Sequence, residues 1–88
     1  MTSYRRSAQQ VSCKIDDEVA ILHLDRSLYF GLQGAGVELW EALEQPRSFE
    51  ELRSAIVERF AVSPEDCDAD IREILTNLQK EGLVETVE

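Results

Sequence analysis

Apolar residues in the first third of the chain follow the short period of β-strands rather than the longer period of helices. Val11, Cys13 and Ile15 alternate with polar residues, which indicates a half-buried strand. Residues 19–24 form a nearly continuous apolar run, as expected for a central strand covered on both faces. After a short break, residues 27–32 resume the alternation. The pattern predicts a three-stranded antiparallel meander.

The third predicted strand carries large side chains on both of its faces. Leu28, Phe30 and Leu32 share one face, whereas Tyr29 and Gly31 share the other. A sheet this small has two edges and no further strands to cover them. An edge strand with such side chains is suited to bind an incoming peptide.

A first helix follows residues 33–36, which break the strand pattern. Its broad apolar stripe comprises Gly36, Val37, Leu39, Trp40 and Leu43. Trp40 is expected in the core, because one large aromatic side chain can anchor a small domain. A second helix starts at a capping box, in which Ser48 and Glu51 satisfy each other's backbone N–H groups. Its predicted buried stripe is Phe49, Leu52, Ile56 and Phe60.

A third helix is predicted over residues 66–81, after Ser63 as N-cap and Pro64 at the first position. Gly82 is expected to end it. Its apolar stripe comprises Cys67, Ile71, Ile74, Leu75 and Leu78, with Asp68 and Arg72 flanking one side and Asp70 the other. Residues 83–87 are predicted to be extended and to dock on the core.

Three strands followed by three helices predict an α+β domain with its helices on one face of an antiparallel sheet. We expect this domain to span residues 11–88 and to follow a flexible tail over residues 1–10, which are polar. A chain of 88 residues is enough for one such domain.

The net charge of the chain limits the classes of partner that it is expected to bind. The 18 acidic and 9 basic residues give a net charge of −9, which repels phosphate backbones and argues against nucleic-acid binding. The N-terminal residues lack the apolar region of a secretory signal, and no run approaches the length of a membrane span. We therefore expect a cytoplasmic protein in which Cys13 and Cys67 are reduced, buried thiols.

Candidate chemistry is sparse. One histidine, His23, and two cysteines without ligand spacing do not indicate a metal site. Cys13 and His23 lie on neighbouring predicted strands, but no third group is indicated that would orient them as a catalytic pair. The Gly34-Ala35-Gly36 segment is too short for a phosphate-binding loop. We predict neither an enzyme nor a cofactor.

Binding is the remaining possibility. Unpaired N–H and C=O groups along an edge strand can pair with an extended peptide, which is called β-augmentation. The alternative is that the third strand is covered by the tail or by a second copy of the chain. The sequence leaves both interpretations open.

Several segments together resemble the PqqD-like family, the recognition elements that bind leader peptides in ribosomal peptide natural-product pathways. They are Leu28-Tyr29-Phe30-Gly31-Leu32, the run from Gly36 to Leu43, Ser48-Phe49-Glu50-Glu51-Leu52, and the stretch from Pro64 to Val84. The likeness covers about residues 11–85. Gln33 departs from it, because the family commonly has Asn there.

The resemblance implies a winged-helix-like fold and a leader peptide that pairs with the third strand and lies against the third helix. It implies no chemistry by the domain itself, which presents the leader to a leader peptidase or another maturation enzyme as a monomer or weak dimer. The residues implied in peptide binding are Ser27, Leu28, Tyr29, Phe30, Gly31, Leu32, Asp68, Asp70, Ile71, Arg72, Ile74, Leu75 and Leu78. Among free-standing members, the chain is more similar to the lasso-peptide type than to the PQQ type, which serves a radical enzyme.

Three other classes compete with this interpretation. A winged-helix DNA-binding protein would need a basic recognition helix, whereas the third helix is acidic. An acyl carrier protein would need its modified serine in Asp-Ser-Leu at a helix start, but Ser27-Leu28 belongs to a predicted strand. A structural module that dimerises through the third strand remains as a further alternative.

Overall fold

The computed structural model describes residues 2–87, apart from the side chain of Pro64, and contains two three-stranded antiparallel sheets and three helices. In chain order the elements are β1 (Ser3–Arg6), β2 (Gln10–Ile15), β3 (Glu18–His23), β4 (Leu28–Leu32), α1 (Ala35–Ala42), β5 (Arg47–Ser48), α2 (Phe49–Phe60), α3 (Pro64–Lys80) and β6 (Val84–Val87). The predicted α+β class is confirmed. None of the helices in the described part of the chain has the length and apolar character needed to cross a membrane.

The predicted meander is the sheet β2–β3–β4, with β3 in the centre. Its register places Ser12, Ile21 and Phe30 side by side, and their side chains point to the helices. On this inner face Val19 and Ile21 are buried. Trp40 of α1 donates from Nε1 to Ser12 Oγ at 3.1 Å, so α1 lies beneath β2.

The outer face of this sheet has no helix on it, which corrects three expectations. Val11 and Ile15 are each 57% exposed, although their alternation predicted that they would be on the buried side of the first strand. The central strand is covered on one face only, because all three helices pack beneath its inner face. Cys13 is consequently exposed rather than buried, whereas Cys67 is buried as expected.

The core lies between the inner face of the meander and the helices. Trp40, predicted to be its anchor, is 2% exposed. The largest fully buried side chains are Trp40, Ile21, Leu39, Leu43, Leu52, Ile71 and Leu83. Phe60, predicted at the end of the buried stripe of α2, is 41% exposed, because α2 ends there and Ala61 takes a left-handed conformation.

The segment 1–10, expected to be a flexible tail, contains β1 and the start of β2. β1 pairs with β6 over its whole length and with β5 at residues 3 and 4. The guanidinium of Arg6 lies 4.6 Å from the centre of the Trp40 ring and donates to the Trp40 carbonyl, from Nε at 3.0 Å and also from Nη2. Because the partners of residues 3–6 are distant in sequence, their contacts produce no local sequence pattern. The polar composition of residues 1–10 therefore indicated a tail.

The start of α2 and the end of α3 follow their predicted signals. Ser48 and Glu51 form the capping box, with backbone-to-side-chain distances of 2.9 and 3.2 Å. After α3, the N–H groups of Gly82 and Leu83 donate to the carbonyls of Gln79 and Leu78, which is the Schellman arrangement. Gly82 has a φ of +76°, and a Cβ there would lie 3.1 Å from His23 Nε2, so a side chain at this position would be both strained and crowded.

α2 and α3 are joined by an ion pair. Arg53 donates to both carboxylate oxygens of Asp68, from Nε at 2.5 Å and from Nη2 at 2.8 Å. These hydrogen bonds, more than any other cause, hold the pKa of Asp68 below its usual value. The bidentate geometry is the one in which an Arg–carboxylate pair is strongest.

We expect Arg6→Ala to lower the free energy of unfolding by about 1–2 kcal/mol, because it removes both the stacking on Trp40 and the hydrogen bonds to its carbonyl. Urea unfolding followed by the fluorescence of the single tryptophan measures this effect. Arg5→Ala is the matched control, because Arg5 pairs with Glu85 on the surface and exposed pairs contribute about 0–1 kcal/mol. Equal losses in the two variants would contradict the role assigned to Arg6.

We expect Asp68→Asn to destabilise the protein near pH 7 and to have progressively less effect as the pH falls below about 4. The pKa of Asp68 is depressed in the folded state, so its stabilising effect is present above the unfolded pKa and is lost on protonation. Thermal unfolding of both proteins between pH 7 and pH 2 measures the difference, with Asp70→Asn as the control on the other flank of α3. A difference that persists unchanged at the lowest pH would refute this assignment.

Candidate functional site

β4 forms one edge of the central sheet. Among the described strands it pairs with β3 alone, so the main-chain groups along its other side have no strand partner. Leu28 and Tyr29 are 48% and 75% exposed, whereas Phe30 and Leu32 are partly buried against the core. Ser27 lies just before the strand with a φ of 54°, and its N–H donates to the His23 carbonyl, so it belongs to the turn rather than to the edge.

α3 supplies the apolar surface beneath this edge. Ile71, Leu75 and Leu78 are at most 4% exposed and belong to the core. Ile74, half-buried against that core, is the residue of the predicted stripe that remains accessible. The apolar residues of α3 that were predicted to bind peptide therefore comprise three buried side chains that support the surface and one accessible side chain, Ile74.

Two contacts fix how α3 is oriented relative to β4. Near the start of β4, Arg26 Nη1 lies 3.6 Å from Glu81 Oε2, just after the end of α3. Beyond the end of β4, Ala35 lines a cavity of about 230 Å³ together with residues from the first turns of α3. α3 therefore runs antiparallel to β4, and we use the name groove for the surface between these two elements, from the Arg26–Glu81 pair to this cavity.

The cavity is apolar inside and acidic at its mouth. Its apolar lining consists of Ala35, Ile56, Phe60, Val62, Cys67 and Ile71. Asp66 and Asp70 line it as well, and both are exposed. Phe60 and Val62 were not predicted as site residues. The available signal was that Phe60 ends its helix and that Val62 stands alone before the N-cap Ser63.

One flank of α3 faces the groove, and the other packs against α2. Asp68 is held by Arg53, and the Arg72 guanidinium lies 4.8 Å from the centre of the Phe49 ring. These two side chains are therefore turned away from β4. The residues on the groove side follow the helical spacing 4, 3, 4 and are Asp70, Ile74, Asn77 and Glu81.

The opposite edge of the sheet has a different character. The inward positions of β2 are Gln10, Ser12 and Lys14, all polar. Lys14 Nζ lies 2.8 Å from Glu41 Oε1, and this hydrogen bond raises the pKa of the lysine. A strand added at β2 would place its inward side chains beside polar and charged groups, whereas one added at β4 would place them beside Phe30 and Ile74. The apolar groove thus distinguishes β4 as the edge suited to an apolar peptide.

The structure does not assemble a catalytic pair from the residues considered. Cys13 lies on the outer face opposite Ala20, while His23 is buried on the inner face opposite Gln10. His23 Nδ1 accepts the N–H of Arg26 at 3.3 Å, which gives the ring a structural role in the turn. Burial raises the pKa of the Cys67 thiol, which disfavours the nucleophilic thiolate. Within residues 2–87, no three His, Cys, Asp or Glu side chains are grouped as metal ligands would be.

Comparison with known proteins agrees with this fold. A solved structure described as "TbiB1 in Complex with the TbiA(beta) Leader Peptide" is 37% identical and superposes with a TM-score of 0.86, covering 92% of this chain and 94% of that one. A second structure, "Lasso peptide synthetase B1 complexed with the leader peptide", is 17% identical and shares the fold with a TM-score of 0.78, covering 93% of this chain and 96% of that one.

Among curated protein sequences there is no significant match. The profile of one protein family, described as "Coenzyme PQQ synthesis protein D (PqqD)", matches residues 18–84, which include the whole groove between β4 and α3. The match covers most of the chain and confirms the resemblance noted in the sequence. The chain belongs to the PqqD family.

Proposed function

We propose that this protein binds the leader region of a ribosomally made precursor peptide and presents it to a separate processing enzyme. The observation that carries the proposal is the 37% identical structure, which was solved with a leader peptide bound and spans nearly the whole chain. The groove between β4 and α3 offers a physical basis for the same activity here.

The leader is bound as an added strand on β4. Its main chain pairs with the free N–H and C=O groups of β4, which gives affinity without dependence on sequence. Because side chains alternate along a strand, every second leader residue points inward, toward Phe30 and Ile74. Apolar leader residues at those positions provide specificity, and the cavity beyond Ala35 accommodates a further apolar side chain.

The sequence-derived set of site residues is revised accordingly. We retain residues 28–32, Ile71, Ile74 and Asp70, and we add Phe60 and Val62 at the cavity. Leu75 and Leu78 support the groove from beneath, Ser27 shapes the turn, and Asp68 and Arg72 serve the contact with α2. The exposed carboxylates of Asp66 and Asp70 favour a leader with a basic residue near the cavity.

The protein acts by binding alone and carries out no chemistry on the peptide. A leader held on β4 is presented at high effective concentration to an enzyme that associates with the same protein. We place this enzyme in lasso-peptide biosynthesis, where a leader peptidase acts before a cyclase. The 37% identity to TbiB1 supports the leader binding on which this assignment depends. The fold shared with lasso peptide synthetase B1 is consistent with the pathway.

A second candidate is a peptide chaperone that serves a radical enzyme in the formation of the coenzyme PQQ. The description of the matching family favours it. The neighbouring genes distinguish the two roles: peptidase and cyclase genes beside a short precursor gene support the lasso pathway, and a radical-enzyme gene supports the PQQ role.

We expect Ile74→Asp to weaken leader binding at least tenfold, or about 1.4 kcal/mol, because it places a carboxylate in the apolar groove. Fluorescence anisotropy with a labelled leader, taken from the precursor encoded beside this gene, measures the affinity. Thr76→Asp is the matched control, since this exposed residue of α3 lines a cavity with Tyr4 and Phe49, away from the groove. Leu75→Asp is unsuitable, because Leu75 is only 2% exposed and a buried carboxylate would unfold the domain.

Circular dichroism establishes that both variants are folded. If the folded Ile74→Asp variant binds the leader as tightly as the wild type, the groove is not the leader-binding site. Dimers of the free wild-type protein that persist when the leader is added would instead support a structural dimerisation module.

Strand addition also makes a prediction about the peptide. We expect N-methylation of successive leader residues to weaken binding at every second position, because alternate N–H groups of an added strand face β4. A series of singly methylated leaders, measured by the same anisotropy assay, gives this pattern. Losses without a period of two would show that side chains alone hold the peptide.

A further inference from the structure

The outer face of the central sheet carries apolar side chains that no part of the described chain covers. The register aligns Val11, Leu22 and Tyr29 in one row across β2, β3 and β4. Cys13, Ala20 and Gly31 form the next row. Val11 and Tyr29 are 57% and 75% exposed, and the two rows enclose a shallow depression. An antiparallel sheet that faces water normally has polar residues on that side, so this face is suited to a partner.

Carboxylates border this apolar face at one end. Asp16, Asp17 and Glu18 are exposed at the turn between β2 and β3, whereas at the turn between β3 and β4 the exposed Asp25 is followed by the exposed Arg26. A second copy of the chain would bring the same acidic border and a further net charge of −9. A partner with apolar side chains next to a group of basic ones is complementary in both respects.

The outer face is continuous with the edge at which the leader is proposed to bind. Tyr29 belongs to both, because it lies on β4 and projects outward. A leader strand added to β4 widens the sheet by one strand, and its outward side chains lie beside Tyr29. A partner on the outer face therefore contacts the protein and the bound leader at once.

We propose that this face, defined by Val11, Cys13, Ala20, Leu22 and Tyr29, is the docking surface for the enzyme that removes the leader. The inference rests on the proposed leader binding and adds where the enzyme binds and what chemistry it presents: apolar side chains with Lys and Arg on the side that meets the turn between β2 and β3. Since the enzyme contacts the leader too, enzyme and leader each strengthen the binding of the other, and by the same factor.

The test uses Val11→Lys, which places a cation in the apolar face where apolar partner side chains are proposed to pack. Val11 lies on β2, on the far side of β3 from the leader, and its exposure lets lysine extend into water without loss of folding. Thr86→Lys is the matched control, an exposed strand residue of the other sheet. The probes are the labelled leader and the purified leader peptidase encoded with the same precursor.

We expect Val11→Lys to bind the leader within twofold of the wild type but to associate with the peptidase at least tenfold more weakly, measured by biolayer interferometry with leader-loaded protein. We also expect the wild type to bind the peptidase at least fivefold more tightly with leader than without. Ile15→Lys, a second exposed position of β2, should reproduce the loss if Val11→Lys is not folded.

Two results would overturn this inference alone: normal leader binding with undiminished peptidase association in the folded variants, or a wild-type dimer in sedimentation that Val11→Lys dissociates. Failure of the wild type to bind the leader would overturn the proposed function, and this inference with it. The separate anisotropy measurement distinguishes these cases.

Discussion

Burial of the central sheet on one face only is the constraint on which the structure depends. Ile21 and Val19 of β3 point into a core that α1, α2 and α3 fill, and Trp40 is anchored there through Ser12 and Arg6. Three helices are enough to cover one face of three strands and not both. The apolar outer face and the unpaired edge strands are therefore results of the same limited size.

The difference between the two edges of this sheet comes from the side chains beneath them. β2 has polar inward positions that hydrogen-bond to α1, whereas β4 has apolar ones above α3. Main-chain pairing would be equally available at either edge, so it cannot select one. The edge that binds a peptide is selected by the side chains beside it, which are Lys14 and Glu41 at β2 but Phe30 and Ile74 at β4. Burial of apolar peptide side chains is favourable only against the apolar groove at β4.

Local signals in the sequence were sufficient for the three helices and for the meander of this fold. The capping box at Ser48, the N-cap at Ser63 and the glycine at position 82 each act within one turn of helix, so a short window contains all the information. The meander was likewise predictable, since its strands follow one another directly.

Features set by contacts between distant residues were not predictable in this way. Period-two alternation shows that Val11 and Ser12 face opposite sides, but only the packing of α1 decides which side is inward. The strand β1 depends on partners more than 40 residues away, and its polar sequence gives no indication of them. The same holds for the flank of α3 that faces the groove. The sequence alone does not show whether the side of α3 with Asp68 or the side with Asp70 faces β4. The ion pair between Asp68 and Arg53 of α2 shows that the Asp68 side faces α2.

The pairing of β1 with β6 has a mechanical consequence. Ser3 lies opposite Val87, and Arg6 opposite Val84, so both outer ends of this antiparallel pair lie at the same end of the ribbon. A force that pulls residues 3 and 87 apart breaks the hydrogen bonds between β1 and β6 one after another, in the unzipping geometry. In the shear geometry, all of these bonds would bear the force together. We therefore expect a low force at residues 3 and 87 to separate β1 from β6. The β4 edge and α3 lie outside this pair of strands and bear no force at first.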